Sequence, residues 1–197
     1  MNALIYDIEI VKAVPSPYSH HEKGIKYCSG WSDHARMGIS VIGCYDYADQ
    51  RTRVFCADNF SAFVERARHS GTLLVGFNSI RFDNAVIAAT INETFAEDAC
   101  YDILRETWIA AGIGPEFQRG THGGYGLDAM CEKNFGTKKS GNGALAPVLW
   151  QQGKIGEVID YCLNDVRLTK QLFDRVLEGV ALASPKDDRP LTLRVPA

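Results

Sequence analysis

With 197 residues, the chain can bury a core without disulfides or a structural metal, and it fits one domain with room for an insertion or a tail. Hydrophobic residues make up 46% and charged residues 23%, ordinary globular values that exclude a disordered or fibrous chain. The net charge of −3 gives no chain-wide basic footprint, so any grip on phosphate must come from a local patch.

No apolar run approaches the roughly 20 residues needed to span a bilayer, so no membrane association is expected. The start, Met1-Asn2-Ala3-Leu4-Ile5, has no basic segment before a long apolar one. No secretory signal is therefore expected, and a cytoplasmic location is the default. Six scattered cysteines (Cys28, Cys44, Cys56, Cys100, Cys131, Cys162) match no disulfide framework and suit a reducing compartment. His20, His21 and His34 lie around Cys28, but their spacing fits no zinc template and reads as a polar loop.

In chain order, Ala3 to Val11 is an apolar run broken by two acids and predicts a buried strand. Residues 14–38 turn polar and rich in glycine and proline, a loop or insertion. Gly38 to Tyr47 and Arg51 to Cys56 flank Ala48-Asp49-Gln50 and predict an antiparallel hairpin. A helix capped by Asp58 should run to about Ser70, with Phe60, Phe63, Val64 and Ala67 on one face. Thr72 to Phe77 predicts a short strand, about Ser79 to Glu93 a helix, and Tyr101 to Leu104 a strand or extended segment. Residues 112–126 carry six glycines and a proline and predict a flexible connection. Leu127 to Asn134 suggests a short helix, Lys138 to Gly143 a polar loop, and Ile155 to Glu178 a long terminal helix.

A meander followed by strand–helix alternation predicts an α/β fold: a mixed sheet, antiparallel then parallel, with helices on its faces. The expected organisation is one domain over 1–183, including the 14–38 insertion, and a tail over 184–197 with Pro185, Pro190 and Pro196.

Three places carry acids that this fold makes interesting. Asp7 and Glu9 are two apart on a strand and so point to one face, among Leu4, Ile5, Ile8 and Ile10. Burying both is costly unless they are paired or bound to metal. Asp83 follows Asn78-Ser79-Ile80-Arg81-Phe82 where a strand gives way to a helix, and by itself reads as a helix-terminal acid. Tyr161 and Asp165 share a face of the last helix, which alone reads as a core aromatic and a surface acid.

Taken together, Asp-x-Glu, Asn-x-x-x-Phe-Asp and Tyr-x-x-x-Asp resemble the three exonuclease motifs of the DEDD superfamily, in order and at similar separations. The tyrosine resembles that of the DEDDy branch, which includes the proofreading domains of family-A and family-B DNA polymerases. The resemblance covers about residues 3–178, and the nearest likeness is to stand-alone proteins similar to the family-B exonuclease domain. It implies a ribonuclease-H-like fold and metal-dependent 3′–5′ exonuclease activity releasing 5′-mononucleotides. Two Mg²⁺ or Mn²⁺ ions are the implied cofactors. By the same resemblance, Asp7 bridges both ions, Glu9 and Asp165 hold the one that activates water, Asp83 supports the other, and Tyr161 orients the water.

Asn78, Arg81, Lys138, Lys139 and Lys154 are candidate substrate contacts, and Tyr18 and Trp31 candidate stacking platforms. Each is also readable as a cap, a solvated cation or a packing residue. Single-stranded DNA 3′ ends are the expected partner, with RNA and a non-catalytic nucleic-acid-binding module as rivals. A replication or repair protein is a further possible partner.

Overall fold

The computed structural model describes residues 2–16, 20–137 and 143–196. Its centre is a five-stranded mixed sheet of order β3-β2-β1-β4-β5, formed by β1 (Ala3–Ile10), β2 (Ile39–Asp46), β3 (Arg51–Phe55), β4 (Leu73–Gly76) and β5 (Cys100–Asp102). β1, β2 and β3 form the antiparallel meander, and β4 and β5 join parallel to β1. This is the mixed α/β sheet the sequence predicts.

Alternation along β1 divides the core in two. Leu4, Tyr6, Ile8 and Ile10 pack with Phe60, Phe63, Val86 and Ile87 on one face. That face is covered by α1 (His34–Met37), α2 (Phe60–Ala67) and α3 (Asp83–Ile91). Ala3 and Ile5 face the other way, into a core with Trp108, Met130, Leu172 and Phe173. These come from α4 (Ile103–Ala110), α5 (Leu127–Phe135) and α7 (Ile155–Leu177), with the short α6 (Ala146–Gln151) leading into α7.

The differences from expectation have local causes. α2 begins after Asn59, whose side chain accepts from the Cys56 N–H, so Asp58 is not its cap. α3 begins at Asp83 rather than Ser79, because residues 77–82 are held in turns by contacts outside the segment. The extended run at Tyr101 stops at Asp102, whose carboxylate caps α4 through the Leu104 and Arg105 N–H groups. The 112–126 connection is anchored by His122 and Tyr125, 2% and 3% exposed.

The 14–38 insertion is tied down by an Ala13–Tyr27 bridge and by Gln151, which bonds Val11 and Lys26. After β6 (Leu182–Ala183) the chain turns into β7 (Pro190–Leu191), and Leu191 and Leu193 are buried in the core on the α7 side. Among the described residues, no helix is long and apolar enough to cross a membrane.

Candidate active site

Asp7 and Glu9 continue the row begun by Ala3 and Ile5, on the face that α7 crosses. Asp7 lies opposite Gly43 in the β1–β2 ladder. A Cβ on Gly43 would stand 2.9 Å from the Cys162 sulfur and 3.2 Å from Leu163 Cδ2. The missing side chain therefore lets α7 settle onto the sheet, and the Cys162 thiol donates to the Asp7 carbonyl at 3.5 Å. Burial, with the charges of Asp7 and Glu9, pushes the Cys162 pKa well up, so that thiol stays protonated. Tyr161 and Asp165, one turn apart, come down beside Asp7. Carboxylate oxygens of Asp7, Glu9 and Asp165 lie within 4.8 Å of one another.

The opposing wall starts where β4 ends. β1 and β4 pair only over Ala3–Ile5 and Leu73–Val75, which leaves the β1 edge open beyond that point. Asp83 fills it, its Oδ1 accepting from the Ile8 N–H at 3.2 Å. Asp83 is 5% exposed; burial, then the charges of Asp102 and Asp165, push its pKa above the usual carboxylate range, against the pull of that N–H.

The turn before Asp83 is gathered by Asp102, at the end of β5. Asp102 accepts from the Asn78 and Ile80 N–H groups at 2.9 and 3.1 Å, and from those of Leu104 and Arg105 at 3.0 and 3.3 Å. Asn78 takes the left-handed conformation, φ 64°, that this turn needs. It is a turn residue rather than a helix cap.

One cavity of about 170 Å³ is lined by Asp7, Glu9, Asp83, Tyr161 and Asp165, together with Asn78 and Trp31. Asp83 belongs to this cavity but stands outside the three-oxygen cluster of Asp7, Glu9 and Asp165. Three close carboxylates without histidine or cysteine offer hard oxygen donors, which suit Mg²⁺ or Mn²⁺ and not a thiolate–imidazole zinc centre. The donor set thus fits the expected divalent ions. Around Cys28, His21 stacks on Tyr27 and His34 meets Phe82 edge-on. Among the described residues, these histidines form no metal cluster with Cys28.

Of the remaining candidates, Arg81 lines an adjoining groove. Lys154 lines neither that groove nor the carboxylate cavity and pairs with Glu157 at 3.5 Å. Tyr18, Lys138 and Lys139 lie outside the described residues. Two residues that organise the site escaped the sequence reading. Asp102 had a legible signal, an acid ending an apolar run before helix-forming residues, whereas Gly43 inside a strand had none beyond the absence of a side chain.

No protein-family model and no curated protein matches this chain. Among solved structures, it is similar to the family B DNA polymerase from the hyperthermophilic archaeon Pyrobaculum calidifontis, with TM-score 0.59 and 18% identity. That match covers 89% of this chain and 24% of the polymerase, so the chain shares its fold with a portion of that enzyme. E. coli Exonuclease I in complex with a dT13 oligonucleotide is a more distant similarity, at TM-score 0.42 and 14% identity over 89% of this chain and 43% of that one. An ExoI/SSB-Ct complex stands at 0.39 and 15%, over 89% and 44%.

Proposed function

We propose that this chain is a metal-dependent 3′–5′ exonuclease of the DEDDy type, with a ribonuclease-H-like fold, acting on single-stranded DNA. The observation that carries this reading is the convergence of the Asp7, Glu9 and Asp165 oxygens within 4.8 Å, in a cavity that also holds Asp83 and Tyr161. The similarity of the fold to part of a family B DNA polymerase supports it.

Asp7, Glu9 and Asp165 would hold one divalent ion, with Asp7 shared toward a second on the Asp83 side. When bound, such ions supply Lewis-acid stabilisation of the phosphoryl oxygens and a water nucleophile at neutral pH. Tyr161 has the complementary task. Its hydroxyl stands where a Cβ on Gly143 would come within 3.0 Å, and from the cavity wall it would orient the attacking water by a hydrogen bond. A phenol has an ordinary pKa near ~10, so positioning suits it better than accepting the proton. Asn78, which lines the same cavity, would meet the 3′-terminal nucleotide.

Digestion of 5′-labelled single-stranded DNA and RNA, with Mg²⁺ or Mn²⁺ and with EDTA, tests the reading. Metal-dependent release of 5′-mononucleotides is expected, with DNA favoured. Asp7→Ala should remove about 4 kcal/mol of transition-state stabilisation, roughly a 10³-fold loss in rate. Undiminished turnover in Asp7→Ala would sink the assignment, and preference for RNA would redirect the substrate. Metal-independent binding without cleavage would instead favour a non-catalytic binding module.

A further inference from the structure

Beside the carboxylate cavity lies a second groove of about 400 Å³, which shares Asp7, Phe77, Asn78 and Asp165 with it. Apart from the two shared acids, its charged or titratable lining is Arg81 and His122. The Arg81 guanidinium sits over the Phe117 ring, 4.5 Å from its centroid. Phe117 is 44% exposed, a large apolar ring left open to water beside the site. It is nevertheless braced from below. Trp108 and His122 stand 6.1 Å from it, centroid to centroid, and 4.8 Å from each other. His122 is itself fixed between the Thr121 hydroxyl at 2.7 Å and the Gly114 carbonyl at 3.2 Å. The rest of the rim includes Gly123 and Gly126, where an added Cβ would meet nothing within 4 Å, so the backbone there is open to a ligand.

We infer that this groove holds the nucleotide preceding the terminal one in a single strand, its base stacked on the Arg81–Phe117 pair. This rests on the exonuclease reading and deepens it by fixing which way the strand leaves the site. A braced aromatic face with a planar cation suits any nucleobase, because every base presents a π-face and Arg adds a charge toward phosphate. The volume falls within the range of small-ligand cavities, ~300–1,000 Å³, and suits one nucleotide rather than a duplex. Continuity with the carboxylate cavity sets that nucleotide against the scissile bond, whose leaving 3′ oxygen it carries. The 112–126 segment is thus a strand-binding wall, and its glycines keep its surface low.

The experiment uses the full chain and two probes. Binding of a 5′-fluorescein oligothymidylate is followed by anisotropy in Ca²⁺, and hydrolysis in Mn²⁺ is compared between that oligomer and thymidine 5′-p-nitrophenyl phosphate, which has no preceding nucleotide. Phe117→Ala and Arg81→Ala are each expected to weaken oligomer binding about tenfold, the scale of one lost base stack. The ratio of oligomer to ester turnover should fall by a similar factor, and Phe117→Trp should restore both. Unchanged binding in Phe117→Ala overturns the proposal, as does an equal loss on both substrates. A wild-type chain that binds the oligomer with Phe117-dependent affinity but cleaves neither substrate overturns the exonuclease reading and leaves the groove standing.

Discussion

On one side of the carboxylate cavity, β1 and α7 present Asp7, Glu9, Tyr161 and Asp165 from regular elements. Their backbones satisfy themselves, and direct burial of Val158, Cys162 and Val166 sets the spacing. On the other side, residues 77–82 present Asn78 and Arg81 and lead into Asp83 from turns in which the single carboxylate of Asp102 meets the Asn78 and Ile80 N–H groups, while the Phe82 N–H returns to the Asn78 carbonyl. The first wall spreads its support over many apolar contacts, whereas the second concentrates it in one buried side chain. Damage to the two walls should differ accordingly: graded on the first, abrupt on the second.

Asp102→Ala is the sharpest way to break that contrast. It deprives four backbone N–H groups of their acceptor, and buried donors left without partners are costly. A loss of about 3 kcal/mol in urea unfolding is expected. Displacing the Asn78–Asp83 turn should also slow strand cleavage, by roughly 100-fold for a misplacement near 1 Å. A pH signature accompanies this. Burial raises the Asp102 pKa above its ordinary 3.8, although the four backbone donors pull it back. The folded state therefore holds that proton more tightly than the unfolded one. Its contribution is full below the unfolded value and is lost as pH rises through the folded one. Asp102→Asn should flatten this fall in urea stability measured upward from about pH 4. An unchanged pH profile would show that burial does not hold this proton more tightly in the folded state.

Gly43→Ala probes the other wall and should give the smaller, graded response. Its new Cβ would stand 2.9 Å from the Cys162 sulfur, so α7 must move outward by a few tenths of an ångström. Overpacking of this kind costs about 1–3 kcal/mol. The shift should also draw Asp165 away from Asp7, with Mn²⁺ affinity by calorimetry falling about tenfold. Wild-type Mn²⁺ affinity with reduced stability would separate packing from site geometry.

The same division explains what the sequence made legible. The β1 and α7 wall could be read because period-two and period-3.6 patterns encode it locally: Asp7 and Glu9 on one strand face, Tyr161 and Asp165 on one helix face. The helix over Ile155–Leu177 was expected within a residue of its observed end. In the Asn78–Asp83 wall the sequence predicts the start of a helix where turns form. The acceptor that holds it open lies more than twenty residues away, in a strand too short for a period to register. Likewise, the glycines of 112–126 predict freedom, but Trp108, Phe117 and His122 pack against one another across that segment. That contact depends on α4, which begins inside the Tyr101–Leu104 run that predicts an extended segment.

A second carboxylate-organised turn, half-buried at the surface rather than in the core, sharpens the comparison with the smallest effect. In the 14–38 insertion, Asp33 accepts from the Ser29 N–H and hydroxyl at 2.7 and 2.8 Å and from Arg36 Nε at 2.9 Å. The Ser29 N–H, then Arg36 and the Ser29 hydroxyl, lower its pKa to about 2. The hydrogen bonding resembles that at Asp102, but water can replace these partners, and the shift runs the opposite way because burial no longer dominates. The sign of its stabilisation is also opposite: present above the ordinary value of 3.8 and lost as pH falls through about 2. This turn carries Trp31, 62% exposed at the rim of the carboxylate cavity. Asp33→Asn should therefore speed amide exchange within residues 29–36 near neutral pH while the urea midpoint stays at its wild-type value. A global loss of stability in Asp33→Asn comparable to that of Asp102→Ala would mean that burial is not what separates a structural carboxylate from a merely local one in this fold.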